Sequence, residues 1–433
     1  MGRKVVLCAV SRMRSGAQEA SYTYESDNGG RKYPGAQTNE APVKCIIDRF
    51  RPIDTVYCLT SEEVKAQTQG GESDWEFFRR KVQAYCRDTL ALPCPAMESV
   101  PYDIHNPGRS VAPLLALLQD EDEVYLDVTG GGRDAVFLMT LVMQLLQYKH
   151  VKVGCAVYSD LNNRCLRRWE SEFDLFDLLK AVEDFFSYGK ADKLVDYFKD
   201  RKVPKSISRF CRYAKQFSLD LALCRTHQLE ETVESIQKAM RSTESASMQS
   251  APDVQLFLSL IPEMQRQFIP ERDSRAVLLL DTIDWCARHE LWLQALALYR
   301  ENVPQCLFEL GLVESSPAFE QYFDGYLRGK WKSAAIPEVG SRDWCTEVVR
   351  ALYPAQEPHT PQFHAKDKGL MIRPEQETWR AVLRDWDELR LIRNAALHNQ
   401  EPDDARSLQY EELEPDKVGQ KLDQSLRRLR AVL

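Results

Sequence analysis

Two short runs carry residue types that do chemistry. The first spans residues 126–134 and reads LDVTGGGRD. Three consecutive glycines let a backbone turn sharply and come close to a ligand, because no Cβ stands in the way. A helix that opens just after them offers unpaired N–H groups and the positive end of its dipole. The Thr129 hydroxyl and the Arg133 guanidinium add donors suited to a phosphate. The run is not a Walker loop, because no lysine follows the glycines. It is not a dinucleotide fingerprint either, since that belongs after the first strand, and here the first strand leads into Ser11-Arg12-Met13-Arg14-Ser15-Gly16. NAD is therefore disfavoured. A tight strand–helix connection with no ligand fits the same residues.

The second run spans residues 387–399, DELRLIRNAALHN. Arg393 and His398 are five apart, which places them about 140° from each other on an ideal helix. They act on one group only if the helix ends near His398 or a second copy supplies the partner. The breakers that follow, NQEPDD at 399–404, favour a nearby end. An arginine and a histidine without metal ligands suit cleavage of a phosphodiester by the RNA's own 2′-hydroxyl. Histidine moves the proton and arginine stabilises the charge that builds on phosphorus. An ordinary helix end with a terminal histidine has the same spacing.

The elements that position these runs differ between the two halves. Residues 5–10, 55–59, 124–128 and 152–158 read as strands, and 40–50, 73–92 and 134–148 as helices, with Thr38 or Asn39 capping the first. Residues 11–35 read as a polar loop. Strands alternating with helices indicate a parallel sheet covered on both faces, and such sheets bind ligands at the carboxyl ends of their strands. Ser11, Arg12, Arg14, Thr60, Tyr158 and Ser159 emerge at that edge together with the glycine run. From about residue 166 only helices are legible, at 173–199, 207–241, 254–267, 276–300 and 378–397, with loops at 242–252 and 353–374. The expected fold is thus a Rossmann-like α/β domain over 1–165 and an all-α domain over 166–433. The helix at 136–146 is apolar on nearly all faces, so it is either buried under the sheet or covered by a second copy.

The 433 residues carry 57 Lys+Arg against 65 Asp+Glu, a net charge of −8. An acidic chain does not coat long nucleic acid through a broad basic surface, although a small local anion site remains open. The 12 cysteines form no C-x-x-C pair and read as reduced thiols. The apolar stretch at 5–10 is too short for a signal or a membrane span, so the expected location is cytoplasmic.

The run Asp127-Val128-Thr129-Gly130-Gly131-Gly132-Arg133, after a middle strand of a Rossmann-like domain, resembles the CARF domain. Arg393-Asn394-Ala395-Ala396-Leu397-His398 in an all-helical domain resembles HEPN, and residues 289–301, HELWLQALALYRE, are similar to a helix in the CARF–HEPN proteins of type III CRISPR systems. The resemblance covers essentially the whole chain. It implies an accessory endoribonuclease of antiviral defence, whose CARF dimer binds a cyclic oligoadenylate and switches on a HEPN pair that cuts single-stranded RNA without metal. It implies Arg393 and His398 as catalytic residues positioned by Asn394. For ring contacts it implies Ser11, Thr129, Gly130, Gly131 and Arg133 first, then Arg12, Asn39, Thr60, Gly132 and Tyr158. The activator is expected to be tetra-adenylate ahead of hexa-adenylate, with no other cofactor, no membrane and no DNA. The alternative is a cyclic-nucleotide sensor whose helical domain is inactive and recruits a partner.

Overall fold

The computed structural model describes residues 2–13, 18–25, 30–66, 71–243, 251–330, 336–352, 369–373, 376–398 and 414–432. The chain falls into two compact units, Met1–Phe176 and Asp177–Leu433.

The first unit is built on eight strands: β1 (Lys4–Ala9), β2 (Ala20–Tyr24), β3 (Lys32–Gly35), β4 (Thr55–Thr60), β5 (Ala96–Pro101), β6 (Glu123–Asp127), β7 (Lys152–Asp160) and β8 (Cys165–Arg168). They form one sheet in the order β3-β2-β8-β7-β6-β1-β4-β5. The five strands from β7 to β5 are mutually parallel, while β8 runs antiparallel to β7 and β3 antiparallel to β2. Helices α1 (Glu40–Phe50), α2 (Glu62–Lys65), α3 (Asp74–Ala84), α4 (Val111–Leu117) and α5 (Arg133–Leu146) connect them. Alternate residues of the buried strands face opposite sides. Val6, Cys8 and Val157 pack with Ile46 and Ile47 of α1 and Phe78 of α3. Val5, Leu7 and Leu126 pack with Leu138 and Val142 of α5. Each such side chain stabilises the fold by about 1.5–3 kcal/mol on burial. The strand order reverses between β1 and β6, since the chain builds outward to β4 and β5 and then returns to the other side of β1. A reversal of this kind opens a crevice at the carboxyl ends of the two strands.

Residues 20–35, expected as loop, hold the β2–β3 pair. Buried tyrosines at 22, 24 and 33 pin it to the sheet. The expected long helix at 73–92 is α3, opened by a Ser73–Glu76 capping box, and it loosens into a π-helical turn over Tyr85–Leu90.

The second unit is helical: it takes in most of α6 (Glu170–Tyr188), whose first residues close the first unit, then α7 (Asp192–Lys199), α8 (Lys205–Ala222), α9 (Thr226–Thr243), α10 (Pro252–Gln267), α11 (Arg275–Arg288), α12 (Trp292–Glu309), α13 (Pro317–Lys330), α14 (Arg342–Leu352), α15 (Gln376–His398) and α16 (Pro415–Ala431). Its core stacks Phe185, Phe210, Phe217, Phe268 and Trp285 around α6, α8 and α11. Trp379, Leu383, Trp386 and Leu389 bury the expected apolar face of α15.

Two expectations are corrected here. Strands do occur after residue 165: β8 completes the sheet, and the three-residue strands β9 (Val313–Ser315) and β10 (Leu370–Ile372) pair antiparallel. The stretches 173–199, 207–241 and 276–300 are each two helices, broken at or near a residue of positive φ: Gly189 at 66°, Cys224 at 49° and Glu290 at 58°. A left-handed residue cannot continue a right-handed helix.

Candidate functional site

The β1–β6 crevice is organised around a buried asparagine. Asn39 stands at the N-cap of α1, yet its side chain does not cap the helix. Its Nδ2 donates to Asp127 Oδ2 at 2.6 Å, and its Oδ1 accepts from Ser11 N at 2.8 Å. It thereby joins the end of β6 to the turn after β1. Glu40, the first residue of α1, instead ties down the chain before it: its Oε1 accepts from Ala36 N and Gln37 N, and its Oε2 holds Lys44 Nζ at 2.7 Å in a buried pair.

The glycine turn is shaped by this network. A Cβ on Gly130 would lie 2.1 Å from Asn39 Nδ2. On Gly131 it would lie 2.4 Å from the Ala9 Cβ and 2.6 Å from the Ala135 Cβ. Both residues must therefore be glycine for internal reasons, as a tight strand–helix connection requires. Gly132 differs. Its φ of +82° favours glycine, but the space its Cβ would fill is open, so the backbone there is exposed to an approaching group. Gly131 N donates to Ser11 Oγ at 2.9 Å, and Ser159 N donates to Thr129 Oγ1 at 2.9 Å.

Asp127 is fully buried beneath the turn. Burial pushes its carboxyl up to about 6, against the hydrogen bonds from Asn39 and Thr129 that favour the charged form. Three buried polar atoms at the same carboxyl edge have no hydrogen-bond partner among the described residues: Gln37 Oε1 before α1, Tyr102 OH after β5 and Ser159 Oγ on β7. Orphaned buried groups are rare and call for a polar occupant.

Ser11, Asn39, Thr129, Gly130 and Gly131 are thus brought together. Arg133 is the first residue of α5, and its side chain lies outside the described residues, as does all of Arg14. Thr60 faces elsewhere: its hydroxyl lies 2.7 Å from Ser99 Oγ of β5. Arg12 is turned outward to Glu63, 3.3 Å away. Tyr158 is 39% exposed and stacks on Trp169 with ring centroids 5.9 Å apart. Sequence reasoning missed Asp127, Gln37 and Tyr102 as members of this edge. Asp127 sat inside the motif and could have been found; the other two carry no local signal.

In the helical unit, Arg393 and Asn394 lie within α15, and His398 is its last residue, with a side chain outside the described residues. Arg393 Nη1 donates to Asn394 Oδ1 at 3.2 Å, while its buried Nε has no hydrogen-bond partner among the described residues. Arg390 donates to Asp387 through Nε at 2.9 Å and lies 5.9 Å from the Trp386 ring. Arg300 on α12 and Arg350 on α14 are close enough to act electrostatically on the same neighbourhood; the sequence analysis held Arg300 only as part of the run 289–301, with no role, and did not name Arg350. Among the described residues, no three His, Cys, Asp or Glu side chains form a metal-ligand set. Among them, too, no helix is long and apolar enough to cross a membrane.

No protein-family model matches the chain, and no curated protein matches it. Among solved structures, Csm6 of Enterococcus italicus bound to cyclic hexa-2'-fluoro-hexa-dAMP is similar over 99% of this chain and 93% of its own, at 11% identity and a TM-score of 0.40. No residue role follows from a likeness this distant.

Proposed function

We propose that this chain is a cyclic-oligoadenylate-activated endoribonuclease of the CARF–HEPN class, cutting single-stranded RNA without metal in type III CRISPR antiviral defence. The observation that carries the reading is the end of α15. There Arg393 holds Asn394, has a buried donor with no hydrogen-bond partner among the described residues, and precedes a histidine at the last helical position. That is a charge stabiliser, a positioning amide and a proton carrier on one helix end. The 2′-hydroxyl attacks the adjacent phosphorus, and the bond to the 5′-oxygen breaks. This leaves a 2′,3′-cyclic phosphate and a 5′-hydroxyl. His398 moves the proton, and Arg393 stabilises the charge on the phosphoryl oxygens. Two copies related by a twofold axis bring the two residues of each helix to bear together, which answers their separation of about 140° on one helix.

The activator belongs at the β1–β6 crevice. The open backbone at Gly132, the N-terminus of α5 and the orphaned atoms of Gln37, Tyr102 and Ser159 support a polar, anionic occupant. Arg12 reaches it by leaving Glu63, an exposed pair worth at most about 1 kcal/mol. The test is cleavage of a labelled single-stranded RNA in chelator, with cyclic tri-, tetra- and hexa-adenylate in parallel. Stimulation by the tetra-adenylate is expected. His398→Ala is expected to abolish cleavage and leave ring binding intact in calorimetry. Absence of cleavage with every ring sinks the reading, and ring binding without cleavage favours a sensor that recruits a partner.

A further inference from the structure

Charge is spread unevenly along the helical unit. Residues 199–215, KDRKVPKSISRFCRYAK, carry seven Lys+Arg against one Asp, in a chain whose net charge is −8. Most of this run is α8, which buries Ile207, Phe210, Ala214 and Phe217 on one side. Lys205, Arg209, Arg212 and Lys215 follow one another at intervals of four, three and three. They therefore share a sector of about 120° on the other side, along about 15 Å of helix axis. All four are exposed, and among the described residues none has a carboxylate within ion-pair distance. The carboxylates of the neighbouring helices are held elsewhere or stand off. Asp253 of α10 lies 3.1 Å from Arg201, Glu234 of α9 lies 3.0 Å from Lys238, and Asp220 is buried against Thr232 and Gln216. Asp192, Asp196, Asp200 and Glu231 are exposed without reaching the row. Four like charges side by side repel one another, and a polyanion laid along them relieves that repulsion and releases its own counterions. The row also has a direction. Beyond its last cation the exposed face of α8 continues through Leu219 to Leu223, and the charge of Arg393 is felt at Cys224, one residue further. The carboxyl end of α8 thus lies beside the helix end that carries the proposed cut.

We propose that the exposed face of α8 is a track for the single-stranded RNA substrate: Lys205, Arg209, Arg212 and Lys215 hold successive backbone phosphates and lead the strand toward Arg393. The inference rests on the endoribonuclease reading above. A convex face bearing a line of cations suits a phosphodiester chain, whose phosphate contacts fix position without regard to sequence. A protein partner would need buried anchors at the centre of its contact, and the centre of this row is charged. Arg212 lies over the Tyr213 ring at 4.9 Å, which holds its planar group on the helix surface, where a base can stack on it. One narrow row accommodates one strand, so it is compatible with a chain that is acidic elsewhere. Binding makes and breaks no covalent bond.

The test measures binding of the full chain to a fluorescent 2′-O-methyl RNA 12-mer, which cannot be cut, across a salt series, with cyclic tri-, tetra- and hexa-adenylate added in turn. Each phosphate contact to a single strand contributes about 0.7 to the log–log salt slope. Arg209→Gln combined with Arg212→Gln is expected to lose about 1.4 of slope and about 25-fold in affinity at 0.1 M salt. Arg87→Gln combined with Lys152→Gln removes the same net charge from exposed positions of the first unit and is expected to lose neither. On the cleavable ribose 12-mer, the α8 pair should raise KM by a similar factor and leave kcat unchanged. Melting curves show whether the α8 pair is folded; if it is not, Lys205→Gln combined with Lys215→Gln decides in its place. Unchanged slope and affinity, with a wild type that binds and cuts RNA, overturns the track and leaves the nuclease reading standing. Equal losses in the α8 pair and in the first-unit pair mark a long-range effect of net charge and overturn it too, as does a fall in kcat at unchanged KM. A wild type that neither binds the 12-mer nor cuts its ribose counterpart overturns both proposals.

Discussion

Asn39 touches Gly130, Asp127 and Ser11 at once, so substitutions at the glycine turn separate by mechanism. Gly130→Ala drives a methyl into the Asn39 amide and takes from Asp127 a buried partner. A loss of roughly 2–4 kcal/mol is expected. Gly132→Ala meets no neighbour and costs about 1 kcal/mol through its positive φ alone. Urea melts of the two variants check the ranking, and equal losses would contradict it. Asp127 adds a pH dependence. Its carboxyl titrates near 6 in the folded chain, against 3.8 ordinarily. Between those values the folded state keeps a proton that the unfolded state has released, so stability falls as pH rises and levels off above about 6. The loss across that window is roughly 3 kcal/mol. Asp127→Asn removes this slope, so the wild type loses ground to the variant as pH rises from about 4 to about 6. A difference that stays constant with pH would refute the assignment. The role of Asn39 was half legible. An asparagine before a helix reads as a cap, and its true partner lies 88 residues along the chain, where no local pattern reaches.

Elements were legible where periodicity was long and lost where it was short. The inner strands announce themselves as apolar runs, and α15 by its tryptophans and leucines. Strand β5 went unread because it sits at the sheet edge, mostly exposed, and alternates weakly. Strands β9 and β10 have three residues each, too few for a period to register. The helix breaks at Cys224 and Glu290 were invisible because neither residue type favours positive φ. That makes a prediction at this scale. Glu290 is exposed at φ 58°, so Glu290→Gly should relieve strain and stabilise the chain by about 1 kcal/mol, whereas Glu290→Val should destabilise it. Thermal melts decide, and a drop with glycine would show that the Glu290 side chain is needed there.

For the whole molecule, the alternation of strands and helices followed by helices alone was enough to give the fold class. The alternatives for α5 were left open, and its surface now favours one. Phe137 is 76% exposed and Leu141, one turn on, is 48% exposed, while Leu138 and Val142 on the other side are buried under the sheet. Covering by a second copy is expected from this exposure and from the twofold symmetry a cyclic ligand favours. Light scattering should find a dimer, and Phe137→Glu should turn it into a folded monomer that no longer cuts RNA. A wild type that stays monomeric at tens of micromolar would refute this. The net charge of −8 is compatible with the proposed nuclease because the cut needs only a local site: Arg300, Arg350 and Arg390 near Arg393 are each paired with a carboxylate, Glu301, Glu347 and Asp387.

The break between α8 and α9 also provides a label-free reporter. Its Cys224 is partly exposed, and its thiol is raised by burial but drawn back by the charge of Arg393. Alkylation proceeds through the thiolate. A phosphate docked on Arg393 neutralises that pull, so the rate at which iodoacetamide modifies Cys224 should fall when the uncleavable RNA is added. Peptide mass spectrometry separates that signal from Cys94 and Cys165, the other partly exposed thiols, both in the first unit. An unchanged rate at saturating RNA would mean that the strand does not reach Arg393. The occupancy of the helical unit is then read from a reaction clock already present in the native sequence.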